Sequence, residues 1–126
     1  MFLTFLHGGL ANMTLLYFLI LSLWGFLLFL RKQGPSSSYW GSLVIGEILV
    51  VAQGLLGGYL WLTGARPSRG EVHLIYGFLI PVIIPLVYGL TKGSDKRRDS
   101  LAYGAALIFT VGLALRAITT GLDVLP

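Results

Sequence analysis

Apolar residues fall along this chain in four long blocks, divided by three short stretches in which the charged residues collect. Crossing the hydrocarbon of a bilayer as a helix takes roughly 20 residues, and each block is long enough. The blocks lie at about 9–30, 41–63, 73–91 and 101–119. They predict an all-α integral membrane protein, a single domain over 1–126, with four transmembrane helices. Short connections make consecutive helices antiparallel neighbours, so the expected arrangement is an up-down-up-down bundle. The first lysine or arginine is Arg31. Without a basic region ahead of the first block or an evident small-residue cleavage site, that block reads as a retained helix and not a signal peptide.

Composition agrees with this reading. Hydrophobic residues make up 56% of the chain, charged residues only 11%, and the mean hydropathy is +0.83. A soluble domain of 126 residues could not cover that much apolar surface. No room is left for a soluble catalytic domain. With no cysteine there is no disulfide, thiolate metal site, thiol nucleophile or iron–sulfur cluster.

The net charge of +4 changes the picture only through its placement. The basic residues sit in short loops, where they set topology, and do not point to nucleic acid. The first and third loops hold Arg31, Lys32, Lys92, Lys96, Arg97 and Arg98, whereas the second holds only Arg66 and Arg69. Positive loops stay inside, so both termini are expected on the outer, periplasmic side of a bacterial inner membrane. Aromatics fit the two interfaces: Tyr39, Trp40 and Tyr103 inside, Tyr59, Trp61 and Tyr76 outside. Ser68 to Glu71, "SRGE", matches a capping box opening the third helix. Asn12-Met13-Thr14 matches a glycosylation sequon at the edge of a span.

Two segments look alike. "SYWGSL" (38–43) and "LAYGAAL" (101–107) each follow a basic loop and open an even-numbered helix with an aromatic, a glycine and small residues. Aligning Gly41 with Gly104 also pairs Gln53 with Arg116 and Gly58 with Gly121, and brings His7 and His73 to nearly corresponding places. The pattern suggests two repeated helical hairpins related by a pseudo-twofold axis along the membrane normal.

Few residues can carry chemistry. His7 and His73 are the two histidines of the chain, and both are expected at the outer ends of their helices. Two neutral imidazoles from different helices can hold one haem b. Gly8, Gly9 and Gly77 would let a flat macrocycle approach, and Arg66, Arg69 or Arg116 would pair with its propionates. The plainer account is a pair of interfacial histidines facing water or headgroups. Glu47 sits about two turns into the second span, where an ionisable group is costly. It shares a helix face with Gly54 and Gly58, and Gln53 lies on the adjoining edge. Gly54 and Gly58 form a GxxxG at which backbones can approach. Glu47 is therefore expected in a helix–helix contact, as a proton-relay carboxyl, a ligand contact or a neutral packing residue. Arg116, about a turn from the outer end of the fourth helix, reads as a snorkelling residue or as a quinone-headgroup contact. Ala106, Thr110, Ala114 and Ala117 make a small-residue stripe fit for helix packing, within this chain or against another. Pro81 and Pro85 free the carbonyls of Gly77 and Pro81 from their helical bonds; the result is a packing kink or a polar notch beside a cofactor or quinone tail. No phosphate-binding loop, HExxH motif or non-haem metal set is present.

The reading that absorbs most of these features is a small accessory subunit, not catalytic by itself, in a larger membrane complex. The expected setting is a quinol-linked respiratory or photosynthetic electron-transfer assembly, with other integral membrane subunits and lipid as partners and no cofactor of its own. The alternatives are a haem b or quinone-binding electron carrier using His7, His73 and Arg116, and a small proton or solute transport subunit using Glu47 and Gln53.

Overall fold

The computed structural model describes residues 2–64 and 70–121. They form four helices: α1 (Phe2–Leu30), α2 (Ser37–Leu62), α3 (Gly70–Thr91) and α4 (Arg97–Gly121). All four are long and apolar enough to cross a membrane, as the hydropathy blocks predict. The helices extend beyond the expected spans. α1 already begins at Phe2, so His7 lies within the helix and not ahead of it. Gly8-Gly9 suggests a helix start, but an internal glycine costs only about 1 kcal/mol, less than unpaired backbone in hydrocarbon. α2 and α4 each begin four residues before the expected 41 and 101, because polar caps carry them into the basic loops.

Those caps are specific. Ser36, extended at φ −81° and ψ 169°, accepts a hydrogen bond from the Tyr39 N–H with its side chain. Asp99, in the first turn of α4, accepts from the Lys96 N–H at 3.0 Å and from the Ser94 hydroxyl, which is the back-reaching half of a capping box. α1 ends with the Gln33 N–H on Leu28 O and the Lys32 N–H on Phe29 O, a Schellman motif whose left-handed position is Lys32 (φ 60°). α3 ends in the same way, with the Gly93 N–H on Tyr88 O and Lys92 at φ 55°. Ser68, Arg66 and Arg69, and with them the expected capping box, lie outside the described residues.

α1 packs on α2 and α4, and α3 packs on the same two helices. The α1–α4 seam is the most extensive and α2–α3 the sparsest, while the diagonal pairs have no close backbone approach. The core gathers toward the two basic loops, around Phe18, Leu21, Tyr39, Leu43, Tyr103 and Leu107. Tyr39 and Tyr103, near the loop ends of α2 and α4, are fully buried in the bundle. Tyr39 donates to Leu21 O at 2.9 Å and stands edge-on to Trp24 at 5.0 Å. Trp40 does the same to Tyr103 at 5.5 Å. α1 and α4 close on glycines: a Cβ on Gly25 would lie 2.7 Å from the Tyr39 hydroxyl and 3.1 Å from Gly104 Cα. Beside them Ser22 donates to Gly104 O at 2.7 Å. Arg97 Nε donates to Phe29 O, and its guanidinium lies over the Phe29 ring. Ser100 donates to Gln33 O, so the two basic loops are pinned to each other.

Candidate functional site

At the other end the four helices part around a cavity of about 710 Å³. α1 supplies Thr4, His7, Gly8 and Thr14, α2 supplies Gln53, Gly54, Gly57, Gly58 and Trp61, α3 supplies His73, Gly77 and Pro81, and α4 supplies Ala114 and Ala117. The wall is mostly glycine and aliphatic carbon, and glycine suits it physically. Without a Cβ the helices keep their hydrogen bonds and still leave space between them. Gly8, Gly58 and Gly77 would each hold a Cβ with nothing within 4 Å.

Both histidines face one another across this space. Their ring centres are 6.1 Å apart at an interplanar angle of 77°, although α1 and α3 have no close backbone approach. The His7 ring lies against α2 where glycine makes room, since a Cβ on Gly57 would come within 3.0 Å of His7 Cε1. Gln53 braces the same turn: its Nε2 donates to His7 O at 2.7 Å. His73 is held from α4, with Nδ1 2.9 Å from Ala117 O and 3.3 Å from the Thr120 hydroxyl. A carbonyl oxygen only accepts, so Nδ1 of His73 carries the proton and Nε2 of the neutral ring keeps its lone pair. That is the arrangement in which a backbone carbonyl orients an imidazole for ligation.

Polar residues line this space too. The Gln53 side chain reaches the His7 ring as well as His7 O, while the Thr14 hydroxyl is buried without a partner; all three residues line the cavity. No cluster of three or more metal-ligating side chains occurs among the described residues; a pair of histidines suits a metal that brings its own equatorial ligands.

The other expected residues fall elsewhere. Gly54 and Gly58 line the cavity, and Gly54 also meets α3, its Cβ position being 3.9 Å from Gly77 O. Glu47 does not line the cavity. It lies half-buried in a shallow groove with Ile48, Val51, Ala52 and Leu55, all of α2, and its Oε1 is buried without a partner. Arg116 is exposed on α4 and does not line the cavity. Thr110 and Ala114 are buried inside the bundle, and of the small-residue stripe Ala114 and Ala117 line the cavity. Gly41 is open to its surroundings while Gly104 is buried between α1 and α4. Thr14 is the residue that sequence reasoning passed over. It stood in the sequon at the edge of the expected span, and the start of α1 at Phe2 is what brings it well inside the helix. Comparison of the chain with protein-family models, with curated proteins and with solved structures finds no match.

Proposed function

We propose that this protein is a small membrane electron carrier that binds one haem b between His7 and His73. One observation carries the reading: the two imidazoles meet across the bundle at 6.1 Å between ring centres. Two imidazoles that share one metal through nitrogens at about 2 Å hold their centres roughly 6 Å apart. The fit extends to the surroundings. Nδ1 of His73 is engaged by a carbonyl, the Gln53 side chain stands against the His7 ring, and glycines on three helices line the space. His7 and His73 would hold the group, which supplies one-electron chemistry when bound; Gln53 and Ala117 fix the helical turns and ring that present it. The exposed position of Arg116 favours a lipid-headgroup contact over a propionate.

The reading includes an up-down-up-down bundle with both termini on the periplasmic side of a bacterial inner membrane, from the loop charges. It also includes two repeated hairpins. The diagonal pairings support the repeat: His7 meets His73 on α1 and α3, and Tyr39 meets Tyr103 on α2 and α4 at 6.3 Å. The matching lysine caps at Lys32 and Lys92 support it too. The test is a reduced-minus-oxidised spectrum of the purified protein. A b-type absorption that disappears in His7→Ala and in His73→Ala, with both variants still folded, is the expected result; a haem-free wild type after expression with haem supply refutes the reading.

A second reading, a subunit of a larger quinol-linked assembly, is favoured by Glu47. Its side chain, half-exposed in a groove on the flank of α2, would meet a donor from a neighbouring membrane helix. Native-gel migration of the mild-detergent extract tests it: Glu47→Leu should release the chain from a large complex, and migration of the wild type alone rules it out.

A further inference from the structure

At the end of the bundle opposite the histidines, the two basic loops make one charged surface. Arg31, Lys32, Lys92, Lys96, Arg97 and Arg98 are six of the nine lysines and arginines of the chain, and all six are exposed. The same stretches hold two acids, Asp95 and Asp99. Asp99 is buried and bound to the Lys96 N–H and the Ser94 hydroxyl, so Asp95 is the one exposed carboxylate among six cations. The loops are joined by the Ser100 bond to Gln33 O and by Gly34, where no Cβ fits against Asp95 O.

Within that surface two cationic residues meet at one atom. The Lys32 N–H and Arg97 Nε both donate to Phe29 O, at 3.0 and 2.8 Å. The Arg97 guanidinium lies 4.1 Å from the centre of the Phe29 ring. It is thus fixed through Nε, and its two terminal amino groups remain to serve another acceptor. Lys32 stands at φ 60°, a cap position at which glycine is the usual residue; the chain keeps a charge there at a cost in backbone strain. Beyond Arg97 the exposed face of α4 turns apolar. Leu101 follows one turn on and Ile108 two turns later, both exposed, and Leu27 and Leu30 are exposed on α1.

A ligand that fits both parts has an anionic head and hydrocarbon tails. We infer that Arg97 and Lys32 hold the phosphate of an anionic phospholipid at the membrane surface, with its acyl chains against the exposed apolar residues of α4 and α1. Arg97 supplies paired N–H donors to the phosphate oxygens, and Lys32 a point charge. A zwitterionic lipid offers the same phosphate with a cation attached, which the surrounding basic residues repel. The bilayer is the source of the ligand, because a free phosphate would leave the apolar face below the cations unused. This surface lies away from the cavity, and the inference does not depend on haem binding there.

The test uses the purified full chain in dodecyl maltoside, with melting temperature followed against dioleoyl phosphatidylglycerol, dioleoyl phosphatidylcholine and glycerol 3-phosphate. A saturable rise with phosphatidylglycerol is expected. Phosphatidylcholine should bind at least about fivefold more weakly, the worth of one basic contact at a membrane surface, and glycerol 3-phosphate at the same concentration should give no rise. Arg97→Gln should weaken phosphatidylglycerol binding by about tenfold, the worth of a charged hydrogen bond, and Lys32→Gly by about fivefold. Glycine takes φ 60° freely, so Lys32→Gly removes the charge without straining the fold, and its melting temperature without lipid should be unchanged or raised. Equal binding of the two lipids, an equal rise with glycerol 3-phosphate, undiminished binding by Lys32→Gly, or no rise with the wild type overturns the inference. So does an Arg98→Gln loss as large as that of Arg97→Gln, the result expected of a diffuse charge with no site.

Discussion

The two ends of this bundle are built from the same residue types to opposite effect. Toward the basic loops, glycine lets helices touch: Gly25 and Gly104 bring α1 against α4 so closely that no side chain fits. Toward the histidines, Gly8, Gly58 and Gly77 hold space that nothing in the chain fills. Hydroxyls bond at both ends: Ser22, Tyr39 and Thr110 donate to backbone carbonyls, and so does Thr120 beside His73, whereas the Thr14 hydroxyl is buried without a partner. In lipid the hydrophobic effect does not drive helices together, so close packing and hydrogen bonds hold one end. The other end keeps hydrogen bonds, from Gln53 to His7 O and from His73 to Ala117 O, and gives up close packing around the cavity.

Four measurements would break or sharpen that contrast. The largest effect is expected at the closed end, where Gly25→Ala drives a methyl into Tyr39 and the α4 backbone. Denaturation of the unliganded protein in mixed micelles should show a loss of about 1–3 kcal/mol. A neutral result would mean that the α1–α4 seam is looser than its geometry. Threonine-to-valine exchange should then change sign between the ends. Thr14→Val removes an unsatisfied buried hydroxyl and should stabilise the unliganded protein by about 1 kcal/mol, while Thr110→Val discards a made hydrogen bond and should cost about 0.5–1 kcal/mol. The same sign at both positions would show that the Thr14 hydroxyl has a partner. Tyr39→Phe should cost about 1 kcal/mol by the same assay, for the bond to Leu21 O. Smallest is Gly58→Ala, for which the open surroundings predict a gain of about 0.5–1 kcal/mol from helix propensity; a loss would mean that α2 needs glycine there for contact.

The difference between the ends also explains what could be read from the chain alone. Four spans were legible because apolar run length maps directly onto helix existence in a membrane. The inward face of each helix was not, because lipid-facing and core-facing positions are equally apolar. The interface expectation for Tyr39 and Tyr103 therefore did not tell that both are buried in the core, and the shared helix face of Glu47, Gly54 and Gly58 did not tell that the cavity takes only the glycines. His7 and His73 were legible as a same-side pair from loop charge. Their meeting across a diagonal was not, since it depends on the order of helices around the bundle. The cap at Ser36 belongs to the same class of gap: it displaces the start of α2 by four residues, and a serine beside a proline in a loop does not announce which residue will begin the helix.

The most extensive seam joins the first helix to the fourth, and that order bears on biosynthesis. While the chain is being made, α1, α2 and α3 enter the bilayer with only the α1–α2 and α2–α3 seams available, the two sparsest of the four. Ser22 and Gly25 wait for Gly104, and Tyr39 waits for Tyr103, until the ribosome has delivered α4. A nascent or truncated chain without that helix would display those groups to lipid and to the proteases that survey it, so the arrival of the fourth helix marks the point at which the product becomes durable.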